Sequence, residues 1–232
     1  MAAPLLQLSD ISLTWGGDPV FADLNVVVQP GDRIALVGRN GSGKSTLMKL
    51  MSGDVEPDTG ARVLAPGADL ARLSQDPDMT GFATLGDFAA RDFDAGEVWR
   101  VESAADGIGI DLGRDPAQAS GGERRRAALA GLVASDADLM LLDEPTNHLD
   151  IQAILWLETY LAERRGAYIL ISHDRAFLQR LTRATLWLDR GVVRRQDKGF
   201  AEFEAWRDKT WEEEDLARHK LNRKIKAEAR WA

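Results

Sequence analysis

The stretch IALVGRNGSGKS, residues 34–45, decides how this chain folds. Ile34, Ala35, Leu36 and Val37 run without a break into Gly38, the pattern of a short strand buried on both faces. Leu47, Leu50 and Met51 then recur at helical spacing, so residues 43–52 read as a helix. Between strand and helix lies Gly-x4-Gly-Lys-Ser, from Gly38 to Ser45, the phosphate-binding loop pattern in the context it requires. Glycines let the backbone N–H groups of Arg39, Asn40, Gly41, Ser42 and Gly43 turn inward around phosphates, and the helix start adds its positive end. Lys44 is placed to neutralise phosphate oxygens, and the Ser45 hydroxyl to take a magnesium position, with Thr46 beside it. The loop alone leaves kinase, GTPase and ATPase open.

Working outward, the stretch LMLLDE, residues 139–144, is a second buried strand that delivers two carboxylates at its C-terminal edge. In an open α/β sheet that is the edge where ligands bind. Asp143 is placed to hold magnesium, directly or through water, and Glu144 to orient and deprotonate an attacking water. A third buried pattern, residues 167–172, ends at His173, and a shorter one, residues 69–73, ends just before Gln75. If both strands neighbour the loop strand, Gln75 offers its carbonyl to magnesium and His173 a hydrogen bond to a phosphate oxygen.

The remaining chain reads as an α/β layered domain with a largely parallel sheet. Residues 6–15 alternate apolar and polar, as a strand or two at a sheet edge would, and Gly16-Gly17-Asp18-Pro19 turns the chain into a strand over 24–28. A turn at residues 57–60 precedes strands over 61–64 and 69–73. Helix-like segments at 84–93 and 96–105 then replace strands, which predicts a small helical subdomain over about 76–137. Helices over 120–134, 151–165 and 175–183 alternate with the strands, and residues 185–193 form a terminal hairpin. A domain over 1–198 is followed by a charged helical segment over 199–232. There Phe203, Trp206, Leu216, Leu221, Ile225 and Trp231 form a loose apolar stripe. The helix runs to Ala232 without a stop signal, as a truncated interdomain linker would.

Composition narrows the class. The chain has 232 residues, no cysteine and a net charge of −8, so disulfide and thiolate chemistry are excluded. No secretory signal and no apolar run long enough for a bilayer stand out, so cytoplasmic residence without membrane insertion is expected. The charge is uneven, because residues 216–232 hold six basic side chains against one acidic. Such a tail is able to touch phosphates of nucleic acid or to serve as a solvated linker helix.

The stretch QASGGERRRAAL, residues 118–129, opens a helix. Ser120 and Glu123 stand at capping-box spacing, which accounts for the serine and the glutamate but not for Gly121 and Gly122. Bare backbone beside a helix N-terminus is a seat for an anion.

Gly38 to Ser45, Gln75, Ser120 to Glu123, LMLLDE, Leu149-Asp150 and His173 occur in the order seen in ATP-binding-cassette ATPases. They resemble the Walker A, Q-loop, signature, Walker B, D-loop and switch-histidine elements of that family. The resemblance implies a P-loop NTPase domain with a RecA-like core, an antiparallel β subdomain and a small helical subdomain, using ATP and Mg2+. It also implies that Trp15, or less well Phe21, stacks on adenine. The signature, Ser120 to Glu123, would act in trans on the phosphate of a second cassette, with Asp150 in the D-loop between them. Thr-Asn-His-Leu-Asp, residues 146–150, resembles the ABC-F branch, whose soluble proteins join two cassettes by a helical linker and in many cases act on ribosomes. With 44 residues between Gln75 and Ser120 the chain lacks a long inserted arm, which leans towards the Uup-like members. Partners implied are a second cassette and ribosome, tRNA or DNA; the alternative is the ATPase subunit of a membrane transporter.

Overall fold

The computed structural model describes residues 3–74 and 77–228, and side chains within the last helix as far as residue 216. Among the described residues the strands form two sheets. Strands β1 (Leu6–Trp15), β2 (Asp18–Val28) and β4 (Thr59–Leu64) form an antiparallel sheet in the order β2-β1-β4. The expected edge strand is therefore a central one, because Leu6 pairs with Val28 on one side and with Leu64 on the other. Its register against β2 shifts between Leu8 and Ile11, where Asp10 adopts φ 52° and donates its N–H to Asn25 Oδ1 at 3.0 Å. Gly60 of β4 passes so close that a Cβ there would lie 2.5 Å from the Asp10 carbonyl oxygen.

The second sheet has the order β5-β6-β7-β3-β8-β9. Its strands are β3 (Arg33–Gly38), β5 (Leu70–Arg72), β6 (Leu139–Asp143), β7 (Ala167–Ile171), β8 (Ala184–Asp189) and β9 (Val192–Gln196). All pairs are parallel except β8 with β9, the terminal hairpin. β6, β7 and β8 are buried throughout because both sheet faces are covered. Ile34, Leu36, Leu141 and Ile169 face α1 (Lys44–Ser52) and the antiparallel sheet. Ala35, Met140, Leu142 and Leu170 face α4 (Gly121–Ser135), α5 (Ile151–Glu163) and α6 (Arg175–Leu181).

β7 pairs directly with β3, so the His173 strand is a neighbour of the loop strand as expected. β5 pairs with β6 instead, so the strand that precedes Gln75 is not a neighbour of β3; Gln75 itself lies outside the described residues.

α2 (Leu85–Ala89) and α3 (Val98–Ile108) pack on α4 as the helical subdomain. α2 is shorter than the sequence pattern predicts. It starts at a Thr84–Asp87 capping box, and Ala90 already leaves helical geometry. α3 runs on to Ile108, where left-handed Gly109 ends it, a stop signal that the apolar spacing obscures. A short 3-10 turn, Phe200–Glu202, leads into α7 (Phe203–Glu228). The root of α7 is held by aromatic contacts: Trp187 of β8 meets Phe203, Trp206 and Trp211 edge to face at 5.9, 5.7 and 5.7 Å. Of the expected apolar stripe, Phe203 and Trp206 pack there. Leu216 is exposed, and the side chains of Leu221, Ile225 and Trp231 lie outside the described residues. Among the described residues no helix is long and apolar enough to cross a membrane.

Candidate nucleotide-binding and catalytic site

The loop after β3 owes its shape to glycine for two different reasons. Gly41 and Gly43 have φ 77° and 99°, backbone that side chains disfavour. Gly38 is needed for space, because a Cβ there would lie 2.5 Å from the Leu188 carbonyl oxygen and 2.7 Å from Ser42 Oγ. Among the described residues the buried Ser42 hydroxyl has no hydrogen-bond partner, while Arg39, Asn40 and Gly41 are exposed at the loop tip. Gly43 is the N-cap of α1, which aims the helix's positive end into the loop. Lys44 arches back and donates from Nζ to the carbonyls of Gly38 and Arg39, both at 2.9 Å. Burial holds its ammonium below the ordinary lysine value, against opposing pulls from Asp143 and Glu144. A partly buried cation at the N-terminus of a helix suits an anion such as phosphate.

Ser45 Oγ donates to Asp143 Oδ2 at 2.8 Å, so α1 and β6 are joined at the position expected for metal. A hydroxyl and a carboxylate are oxygen donors that suit Mg2+. Among the described residues no group of three or more His, Asp or Glu side chains makes an all-protein metal cage. A magnesium ion here would therefore share its shell with phosphate oxygens and water, as this hard cation ordinarily does.

One residue on, Glu144 has φ 51°, and its N–H donates to the Ile171 carbonyl at 2.9 Å. The carboxylate accepts the His173 N–H at 3.2 Å and stands 3.5 Å from His173 Nε2. It is 13% exposed and its partner imidazole 78%, so the acid is enclosed and the histidine open. Burial raises the Glu144 carboxyl above the usual range, with the His173 backbone N–H the leading opposing influence. A cleft of ≈ 460 Å³ unites Asn40, Gly41, Lys44, Ser45 and Thr46 with Asp143, Glu144 and His173. A second cleft, ≈ 300 Å³, shares Lys44, Glu144 and His173 with the first and is walled by Trp187, Phe203, Arg207 and Trp211.

Trp15, Ser120, Gly121, Gly122, Glu123 and Asp150 do not line this cleft. Trp15, at the end of β1, is 54% exposed and free to take a planar ring, whereas Phe21 is 1% exposed and packs beneath Gly43. Ser120 caps α4: its hydroxyl accepts from the Glu123 N–H at 3.3 Å, and the Glu123 carboxylate accepts from the Ser120 N–H at 2.9 Å. Glu123 also pairs with Arg114. Gly121 is exposed, and a Cβ on it would have nothing within 4 Å, whereas a Cβ on Gly122 would lie 3.2 Å from the His148 Cβ. Gly122 thus has a packing reason inside the chain as well. Asp150 caps α5, accepting the Ala153 N–H at 2.9 Å.

The profile of the ABC transporter family matches residues 21–147. The chain belongs to that family. Its cassette is accordingly an ABC ATPase domain, with the α/β fold of the class. The chain is 44% identical to the ATP-binding protein Uup of Caulobacter vibrioides over 99% of its length, and spans 37% of that relative. It is 32% identical to the energy-dependent translational throttle protein EttA of Mycobacterium tuberculosis, over 82% of the chain and 42% of the relative. Among solved structures it superposes on the ATP-binding subunit of an ABC transporter with TM-score 0.74 and 26% identity, covering 83% of the chain and 90% of the subunit. The ATP-binding cassette MJ0796, a dimer in a post-hydrolysis state with ADP and phosphate, gives TM-score 0.70 at 18% identity, covering 83% of the chain and 98% of that cassette.

Sequence reasoning missed the arginines of α4. Arg125 donates from Nη2 to the carbonyls of Asp143 and Glu144, and Arg126 from Nη1 to that of His148 at 2.8 Å. A signal was present: three arginines in the first turns of a helix oppose its dipole, so they need partners elsewhere.

Proposed function

We propose that this cassette hydrolyses MgATP within a head-to-tail sandwich of two cassettes, as one module of a soluble ABC-F protein that controls engagement of a ribosome or nucleic acid. The observation that carries the hydrolytic reading is the single cleft joining Lys44, Ser45 and Asp143 to the enclosed Glu144–His173 pair. In this reading the loop amides and Lys44 bind the β and γ phosphates, and Trp15 supports adenine. Ser45 and Asp143, with help from Gln75, would hold a magnesium ion, which would supply charge neutralisation to those phosphates. Glu144 accepts the proton of the attacking water, and His173 holds the γ-phosphate side of the site.

Ser120 and Gly121 complete the site of a partner cassette. Their separation from the cleft of their own chain supports that role, because both are exposed at the start of α4. Phosphate stabilisation supplied in trans accelerates P-loop hydrolysis greatly in related cases. The ABC-F assignment draws on the Thr-Asn-His-Leu-Asp stretch, the α7 helix after the cassette and the similarity to Uup and EttA. The same relatives support cytoplasmic residence.

The experiment is co-sedimentation of Glu144→Gln with ribosomes, with and without ATP. ATP-dependent pelleting supports the ribosomal role; its absence, with ATP-dependent pelleting alongside a membrane-spanning subunit instead, favours the transporter reading that the 26% identical solved subunit also supports.

A further inference from the structure

Among the described residues six non-glycine positions hold left-handed backbone, and two of them, Glu144 and His148, lie between β6 and α5. Glutamate takes this conformation less readily than aspartate or asparagine, so something must hold it there. Successive arginines of α4 supply the hold. Arg125 Nη2 donates to the Asp143 carbonyl and, at 3.1 Å, to the Glu144 carbonyl, on the two sides of the turn that aims the carboxylate. Arg126 Nη1 donates to the His148 carbonyl at 2.8 Å, and Gly122 lies against the His148 side chain. Both left-handed turns are therefore tied to one 15-residue helix whose capped start is Ser120.

We propose that Arg125 is a positioning residue for hydrolysis: by gripping the Asp143 and Glu144 carbonyls it holds the turn that aims the Glu144 carboxylate and makes the acid's placement follow the signature helix of the same chain. Contact made by a partner's nucleotide at Ser120 and Gly121 is then felt at this chain's own acid, because a helix transmits a shift along its axis as a rigid body. Arg126 extends the tie to the His148 turn. The inference rests on Glu144 acting as the base.

The test compares kcat and MgATP affinity for the wild-type chain, Arg125→Ala, Arg125→Lys and Glu144→Gln. Loss of the grip lowers kcat by about ten- to a hundredfold, the scale of a misplaced reacting group. MgATP affinity changes by less than about twofold, since ground-state binding is untouched. Arg125→Lys, whose ammonium still donates to carbonyls, recovers most of the turnover. Wild-type kcat in Arg125→Ala, a parallel fall in kcat and ATP affinity, or a lysine variant no better than alanine would each overturn the proposal. If Arg125→Ala does not fold, Arg125→Lys and Arg125→Gln are compared by the same split, and lysine must exceed glutamine in kcat at equal affinity. A Glu144→Gln chain with wild-type turnover removes the base assignment itself, whereas an inactive Glu144→Gln beside an unaffected Arg125→Ala removes only the positioning role.

Discussion

At Glu144 backbone, burial and hydrogen bonding all serve one carboxylate. The left-handed turn costs roughly 1–2 kcal/mol for a residue with a Cβ, and the Ile171 carbonyl and Arg125 offset it. Glu144→Gln keeps the shape and removes the proposed base, so turnover should fall by about 10²–10⁴-fold with MgATP binding retained; steady-state kinetics beside nucleotide titration measure both. The pH dependence follows from the burial that raises this carboxyl. The ionised form is the one that accepts a proton, so activity is present above the raised value and lost as pH falls through it. The acid limb of kcat should accordingly lie above the ordinary range for glutamate and vanish in the glutamine variant's residual rate. An acid limb at the ordinary carboxylate value would contradict an enclosed base.

Among the elements, α4 separates packing from function through its glycines. A Cβ on Gly131 would lie 2.5 Å from the Ala89 carbonyl oxygen, so Gly131→Ala must push α2 from α4 and cost about 1–3 kcal/mol in denaturant unfolding. Gly121→Ala meets nothing within 4 Å among the described residues, and alanine is the better helix former by up to about 1 kcal/mol. That variant should be as stable as wild type or more so, yet slower wherever a partner's phosphate needs the bare backbone. β8 makes a comparable point for α7. Trp187 is 3% exposed and meets three rings, so Trp187→Ala should cost about 3–5 kcal/mol and free the root of α7 to proteolysis. The sheet was legible in the sequence because buried parallel strands read as unbroken apolar runs, as in residues 34–37 and 139–142. The central place of β1 was not, since strand alternation reports which face is buried and says nothing of what pairs at either edge.

Over the whole molecule, the chain brings Lys44, Ser45, Asp143, Glu144 and His173 to one cleft and leaves Ser120 and Gly121 outside it. The cleft residues were legible because each ends or follows a buried strand, and strand ends converge at one sheet edge. The grip of Arg125 and Arg126 was not, because it joins a helix to a turn across 18 and 22 residues with no periodicity to mark it. In the proposed sandwich a cassette so divided is half of a working site, and mixing two broken cassettes tests this most directly. Lys44→Ala loses its own phosphate loop but keeps its signature, and Gly121→Asp loses the signature but keeps its loop. Each alone should be nearly silent, and an equimolar mixture should recover ATP turnover that rises with protein concentration. A Gly121→Asp chain as active as wild type at every concentration, or a mixture no faster than its components, would contradict the sandwich.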